Sequence, residues 1–419
     1  MNSQKSIAII GGGVAGIVSA FLLSKQYNVT IYESNNRLGG HSNTIHVNDK
    51  NLGDIGIDTG FIVFNELNYP LFQKFLTRLN VPYQCSDMSF GYFDPSKNFW
   101  YSSDFPSGIF SQRKHLTSYS FWQFLLSIIK FNNKTKQDLL SGAMDTLSLG
   151  DYLDQCNYSD FFINSYLIPM GAAIWSCPFE VLKSFPALAY FQFWNNHQLL
   201  NLITRPTWQT VKGGSISYIK QFNETFNGQV ILNATVDSVY QENNNVVINQ
   251  KNGDKDIYDY VVMATHANVT SRLVQLPYNE STLFKTWKYT KNKVYLHTDE
   301  TLMPPNKNAW ASWVVNRSQD TQALTMTYYM NRLQNLANAN SHYFVTLNDN
   351  AIDQQNVLYS ADYEHPVYTQ QSLDTQSKIK ALNGKSAIFY AGSYLGYGFH
   401  EDAVRSAVEV ARHLGVSFD

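Results

Sequence analysis

Residues 6–33 constrain this chain more than any other stretch. Ser6-Ile7-Ala8-Ile9-Ile10 is a short, β-branched apolar run of the kind found in buried parallel strands. It runs into Gly11-Gly12-Gly13-Val14-Ala15-Gly16, a G-x-G-x-x-G pattern on Gly11, Gly13 and Gly16. A helix-like stretch from Ile17 to Gln26 follows, and a second strand-like run, Asn28–Tyr32, ends on Glu33. Each part has a physical role. Gly11 permits a tight strand-to-helix turn, Gly13 lets a backbone approach a pyrophosphate, and Gly16 lets the helix pack closely on the strand. The helix N-terminus around Val14 and Ala15 offers unpaired N–H groups and the positive end of the helix dipole. Glu33 stands twenty residues beyond Gly13, where a carboxylate can accept ribose hydroxyls. The pattern alone is weak; with this strand, helix and acid it predicts a dinucleotide site.

After Glu33 comes Ser34-Asn35-Asn36-Arg37-Leu38-Gly39-Gly40-His41. This resembles the R-x-G-G-(R/H) continuation of the flavoprotein amine-oxidase-like superfamily, which includes amine oxidases, phytoene desaturases and protoporphyrinogen oxidases. The resemblance implies FAD as the dinucleotide, with Arg37, Gly39, Gly40 and His41 wrapping the pyrophosphate from its other side. It implies an α/β fold: a Rossmann-like FAD-binding domain with a β-meander, plus an interleaved α+β substrate domain. The expected FAD-binding domain is discontinuous, at 1–66, 205–275 and 380–419, and the substrate domain takes 67–204 and 276–379.

At 419 residues the chain exceeds one common domain, which agrees with that division. A net charge of −2 argues against an extended nucleic-acid surface, so no nucleic-acid partner is expected. Cys85, Cys156 and Cys177 have neither zinc-site nor C-x-x-C spacing, which fits a reducing, cytoplasmic setting. The apolar run Ile7–Leu23 is interrupted by glycines, and no other run reaches membrane-spanning length. The expectation is a soluble protein that could touch a membrane surface. The 27 Tyr, 26 Phe and 8 Trp suit a wide apolar cavity, although a bulky core would look the same in sequence.

Taken in order, Asp54 to Asn65 is a Gly-punctuated apolar stretch, read on local pattern as a strand with a bulge. The superfamily resemblance implies that Thr59, Gly60 and Phe61 pass beside the flavin ring and that Asn65 borders the substrate cavity. Tyr69–Leu79 reads as a helix, and residues 109–200 as mostly helical, with aromatic clusters and Trp175 as a cavity wall. Val211-Lys212-Gly213-Gly214-Ser215 marks a return to the cofactor domain. Strand-like runs follow at Gln229–Val236, Ser238–Tyr240 and Val246–Ile248, with a hairpin turn at Asn252-Gly253-Asp254. The resemblance places adenine near Val236 and the Val261–Ala264 strand near the pyrophosphate. Further strands are expected at Lys293–His297 and Leu324–Tyr329. The chain closes with Gly392-Ser393-Tyr394-Leu395-Gly396-Tyr397-Gly398-Phe399-His400-Glu401-Asp402-Ala403-Val404 entering a final helix. A Gly-rich strand-to-helix turn is a second anion-ready helix N-terminus. The resemblance puts it at the flavin pyrimidine, with Asp402 nearby and the Ala403 and Val404 N–H groups facing negative charge on reduced flavin.

A narrower similarity is visible. Leu38–Thr44, Asp58–Asn65, Pro169–Ser176 and Tyr397–Asp402 resemble a bacterial branch of predicted FAD oxidoreductases associated with cyclopropane, methylated and furan fatty-acid synthesis. This implies dehydrogenation of an apolar lipid or fatty-acyl substrate, with oxygen, a quinone or a carrier protein as electron acceptor. His400, Tyr397 and Lys293 are the candidate catalytic groups, Lys293 as the superfamily lysine that holds a water near flavin N5. Each has a plain structural reading as well. Tyr394 lies in the segment that carries the superfamily's aromatic amine cage and is expected to border the substrate cavity, but no partner for it is identifiable, which counts against amine oxidation. No cysteine follows Cys177, so the C-terminal thioether link of some amine oxidases is impossible and the FAD is expected to be non-covalent. The rival readings are a lipid double-bond isomerase, an amine or amino-acid oxidase, and a non-catalytic flavoprotein that binds a lipid or partner.

Overall fold

Alternation along the first strand organises the part of the molecule built on the parallel sheet. In the computed structural model, Ser6–Ile10 lies between Asn28–Tyr32 and Tyr260–Met263 in a parallel sheet completed by Gln229–Ile231 and Ile388–Tyr390 at its edges. Successive side chains of a strand face opposite ways. Ile7 and Ile9 pack with the first helix, Val14–Leu23, and the last, His400–His413, while Ala8 and Ile10 face the second core. Val239, Val246 and Ile248 on that second side come from a three-stranded antiparallel meander, Val236–Glu242, Asn245–Gln250 and Lys255–Tyr258. The first helix is buried on nearly every side, as its uniformly apolar sequence requires. The structure describes residues 4–175, 179–201, 206–318, 324–349 and 351–418. Ser176, Cys177 and the expected 204/205 boundary lie outside these.

The second large sheet has seven strands. One edge is the long antiparallel pair Val357–Val367 and Lys288–His297, followed across the sheet by Phe344–Leu347, Leu324–Tyr329, Trp313–Arg317, Phe90–Asp94 and Phe99–Ser102. A helical layer covers it. Tyr119–Ser141, Leu149–Cys156 and the short Asp160–Phe162 are each started by a serine (Ser118, Ser148, Ser159) whose hydroxyl accepts an N–H three residues on. Between Asp160 and Trp175 the helix passes through one π-turn, Ile163–Leu167. Pro169 lies just beyond that turn and cannot donate to the Ser165 carbonyl. Tyr101 Oη donates to that carbonyl instead, at 2.8 Å.

Two local expectations change. The run expected at 229–236 splits: Gln229–Ile231 extends the parallel sheet, and the meander starts only at Val236. Asn233, with φ of 55°, makes the turn between them, a conformation asparagine tolerates. The stretch 54–65 is two pieces. Gly53–Asp58 pairs with Thr44–Asp49, and Phe64–Asn65 pairs with Gln209 and Trp208.

Candidate functional site

The Gly-rich loop after the first strand has the geometry its spacing predicts. Gly11 has φ of +106°, and a Cβ there would lie 2.6 Å from the Ala264 carbonyl oxygen. A Cβ on Gly16 would stand 1.9 Å from the Gly11 carbonyl oxygen, so helix and strand touch through backbone. Gly13 is different: a Cβ there meets nothing within 4 Å. That open face, beside the first helix N-terminus at Val14 and Ala15, is the cradle a pyrophosphate needs.

Glu33 is buried and oriented by backbone. Its Oε2 accepts from Gly12 N–H at 2.7 Å, and Oε1 accepts from Asn35 N–H at 2.8 Å and Asn35 Nδ2 at 2.7 Å. One lone pair on Oε2 remains for a ribose hydroxyl, and the Asn35 amide is the group that can yield another. Sequence reasoning missed Asn35, although its place two residues after the acid suits such a turn. Glu33→Ala is expected to weaken FAD binding roughly ten- to a hundredfold, the effect of losing about 1.5–3 kcal/mol of hydrogen bonds to a charged group. Titration of deflavinated protein with FAD reads this; unchanged affinity would remove Glu33 from the ribose site.

The second Gly loop lies against the first. Gly39 N–H donates to Gly12 O at 2.8 Å, and Gly13 and Gly39 form a parallel bridge. The Arg37 guanidinium donates to the carbonyls of Leu38, Gly40 and Ser42, bracing the loop from inside. Phe61 N–H donates to His41 O, and a Cβ on Gly60 would be 2.0 Å from that oxygen. The close approach that makes Gly60 necessary is therefore to the His41 backbone. Thr59 Oγ1 donates to Asn43 O and lies 2.9 Å from Tyr363 Oη. Asp58 anchors the whole region: its carboxylate accepts from Ser215 N–H, Ser215 Oγ and Thr44 Oγ1. Burial raises its pKa to about 6 against the pull of those donors.

At the C-terminal turn, Gly392 N–H donates to Ser406 Oγ at 2.8 Å. Asp402 Oδ2 accepts from Tyr397 N–H and Phe399 N–H, and Oδ1 accepts from Arg405, while burial pushes its pKa up. Glu401 reaches across the interior to cap helix Pro70–Arg78, accepting from Leu71 N–H and Phe72 N–H, and burial lifts it to about 7. The role expected for Ala403 and Val404 needs correction. The helix begins at His400, and Ala403 N–H already donates to Phe399 O, so Ala403 and Val404 sit a turn inside it. The N–H groups left over by position are those of His400 and Glu401.

His400 stacks on Phe61 at 3.7 Å and 8°, with Phe72 edge-on, and its Nε2 lies 3.3 Å from Tyr218 Oη. Burial holds its pKa near 3, so it is a neutral imidazole that joins the final helix to the Ser42 loop. Tyr397 faces the helical layer, its ring 6.2 Å from Phe193. Trp175 packs on Tyr190 and Phe193, each at 5.0 Å, and Phe193 stacks on Phe399 at 4.5 Å. Asn65 is wholly buried, with Oδ1 accepting from Asn68 N–H. Val236 is buried at the start of the meander. Lys293 is not brought to this cluster. It is exposed, with its ammonium over the Tyr295 ring, and alternation turns its neighbour Asn292 inward to His365 Nδ1 at 2.7 Å.

His365 belongs to a group that the sequence did not announce. The His41 ring lies 5.0 Å from Tyr363, 5.3 Å from His365 and 5.9 Å from His266, and His266 stacks on Tyr289. Burial lowers all three histidines, His41 and His266 to about 4 and His365 to about 3. His41 Nε2, Asn268 Oδ1, Tyr368 Oη and Tyr394 Oη are buried without a hydrogen-bond partner. Such orphans are costly in a finished interior, and these four belong to a longer set that also includes Asn132, Thr135 and Trp194 in the helical layer. The open face at Gly13 and the aimed carboxylate of Glu33 fit a flavin dinucleotide, with the unpartnered His41 Nε2 on the residue after the adjoining Gly39-Gly40 turn. Among the described residues no group of three or more histidine, cysteine, aspartate or glutamate side chains could hold a metal ion.

Comparison with known proteins agrees. Over 98% of its length the chain superposes on the CLA-producing fatty acid isomerase from P. acnes (TM-score 0.68, 13% identity, 99% of that chain). It superposes equally far on cyclohexylamine oxidase from Brevibacterium oxydans IH-35A (TM-score 0.71, 12% identity, 100% of that chain). Putrescine oxidase bound to putrescine gives a TM-score of 0.69 at 14% identity, over 98% of this chain and 99% of that one. No curated protein matches in direct sequence comparison. These likenesses show the amine-oxidase-like fold. The model of the flavin containing amine oxidoreductases matches residues 14–358. The chain therefore belongs to the flavin-containing amine oxidoreductase family and is an FAD-dependent oxidoreductase.

Proposed function

We propose that the substrate is a fatty-acyl or other apolar lipid, from which the enzyme removes hydrogen to leave a new double bond. The observation that carries this reading is the chemistry of the C-terminal turn and its surroundings. Phe193, Phe399, Trp175 and Tyr190 form a continuous aromatic surface from the helical layer to the turn. The two carboxylates at the turn are both committed: Glu401 to Leu71 and Phe72, Asp402 to Tyr397, Phe399 and Arg405. An ammonium substrate would find no uncommitted carboxylate there, whereas a hydrocarbon chain requires only apolar contact and exclusion of water.

Bound FAD would supply a two-electron acceptor at this site, with oxygen, a quinone or a carrier protein as the final acceptor. The chain's own groups hold and orient. Glu33, Gly13, Gly39 and His41 grip the dinucleotide, and Tyr394 and Tyr368 offer hydroxyls that lack protein partners. Burial keeps both phenols protonated at neutral pH, so they act as donors. His400, neutral and stacked, positions the turn. A second reading, isomerisation of an unsaturated lipid with no net oxidation, is favoured by the likeness over nearly the whole chain to a protein named as a fatty acid isomerase.

The test is an anaerobic absorbance titration of the flavin-loaded protein with fatty acids, phospholipids and amines, with products analysed by mass spectrometry. Bleaching by acyl lipid with a product two hydrogens lighter is the expected result. A shifted double bond without net bleaching selects the isomerase. Bleaching by amines alone would overturn the lipid assignment.

A further inference from the structure

Helix Tyr119–Ser141 is apolar on two opposite faces. Its inner face, Phe121, Phe124 and Phe131, packs on Phe99, Phe161, Phe162, Phe191 and Trp194. Its outer face carries Tyr119, Trp122, Leu126 and Ile129, spaced three and four apart so that they form one stripe. The stripe is open: Tyr119 is 78% exposed, Trp122 45%, Leu126 49% and Ile129 44%. The preceding loop adds Leu116 and Phe105, the latter 76% exposed. Phe105, Phe110 and Trp122 are in ring contact, which makes the patch continuous. Of the thirteen large hydrophobic side chains exposed among the described residues, seven lie between 105 and 140. So local a concentration marks an interaction site.

Charge identifies the partner. From Phe105 to Gln137 there is no aspartate or glutamate, while Arg113, Lys114, Lys130, Lys134 and Lys136 all fall in that stretch of a chain whose net charge is −2. Arg113, Lys114 and Lys130 are exposed beside the stripe. Aromatic and aliphatic side chains rimmed by cations are the composition of a helix that lies in the plane of an anionic bilayer, with rings at the headgroup level. No described helix is long and apolar enough to cross a membrane, so the contact is with one leaflet. We propose that the outer face of helix 119–141, with the 105–116 loop, docks the protein on the surface of an anionic phospholipid membrane. This places the helical layer, whose inner aromatic residues run toward Phe399, against the bilayer. The inference goes beyond the proposed reaction and does not depend on it.

Co-sedimentation of the FAD-loaded protein with vesicles tests it without reference to turnover. Vesicles of mixed phosphatidylglycerol and phosphatidylcholine should bind the protein, and raised salt or phosphatidylcholine alone should release most of it. The variant Arg113→Gln/Lys114→Gln/Lys130→Gln should partition on the order of a hundredfold more weakly, from about 1 kcal/mol per cation. Trp122→Ser/Leu126→Ser should also detach, whereas Tyr278→Ser, an exposed aromatic outside the patch, should bind as the parent does. Absence of vesicle binding by the parent protein would overturn the proposal, as would wild-type binding by both patch variants. So would a parent that self-associates in analytical ultracentrifugation through this face and ignores vesicles, which would make the stripe a contact between copies.

Discussion

Gly13→Ala is expected to yield a protein that melts like the flavin-free parent but retains little flavin, whereas Gly16→Ala should lose flavin and stability together. The contrast follows from what each new methyl group meets. At Gly13 it meets no protein atom within 4 Å, and the backbone there is extended (φ −71°, ψ −178°), which alanine adopts without strain. The protein alone should therefore tolerate the change, and only a group occupying that open face should be displaced. At Gly16 the methyl would stand 1.9 Å from Gly11 O and 3.3 Å from an Ile9 methyl. Helix Val14–Leu23 must then move off the first strand. Overpacking a core costs about 1–3 kcal/mol and here acts on backbone that cannot rotate away, against a total stability of roughly 5–15 kcal/mol. The ratio of flavin to protein absorbance and the melting temperature of deflavinated protein read the two effects separately. Parental flavin content in Gly13→Ala would mean that this loop does not carry the pyrophosphate.

Acidification from pH 7 to pH 5 is the second large effect: the melting temperature should fall steeply. Burial lowers His41, His197, His266 and His297 to about 4, and His365 and His400 to about 3. A histidine with a folded pKa below its unfolded value near 6.5 binds its proton more readily in the unfolded chain. Its contribution is complete above that value and is lost as the pH falls through 6.5 toward 4. His297 is the clearest case. It is wholly buried, its Nδ1 accepts from Asp299 N–H, and the remaining proton on Nε2 therefore points to Thr346 Oγ1 at 2.8 Å. Protonation of Nδ1 breaks the first of these bonds, and at pH 5 this residue alone should remove about 2 kcal/mol. Asp58 and Glu401, raised to about 6 and about 7, work in the opposite direction, since the folded state holds their protons more tightly. Asp402, also raised by burial, acts the same way, and three such groups do not balance six histidines. A melting temperature that is flat or rises between pH 7 and pH 5 would refute this, and His297→Gln should visibly reduce the slope.

The cofactor frame was legible because its requirements are local. Gly11, Gly13 and Gly16 answer to contacts within one strand–turn–helix unit, and the strand after it delivers Glu33 at a set distance. The same holds for Arg37, which braces carbonyls within five residues of itself. The Gly-punctuated stretch 54–65 and the Gly213-Gly214-Ser215 turn were each visible in the sequence, yet nothing in either spacing indicated that Asp58 would hold Ser215, 157 positions away. The His41–His266–His365 group arises from three separate elements and has no linear signature. Lys293 was misjudged because a strand offers two faces, and only its pairing in the sheet turns Asn292 inward and Lys293 outward. Ala403 and Val404 were placed one turn too early because the sequence does not mark which residue starts the final helix.

The sequence by itself determined the nucleotide-binding frame, the family and the aromatic character of the helical layer, since backbone close approach and local periodicity are written in consecutive residues. Only the tertiary structure decided which polar groups are satisfied, which are left waiting among His41, Asn268, Tyr368 and Tyr394, and which face of helix 119–141 remains uncovered. Those are properties of neighbours distant along the chain, and burial, which sets their energies, exists only once the layers have packed.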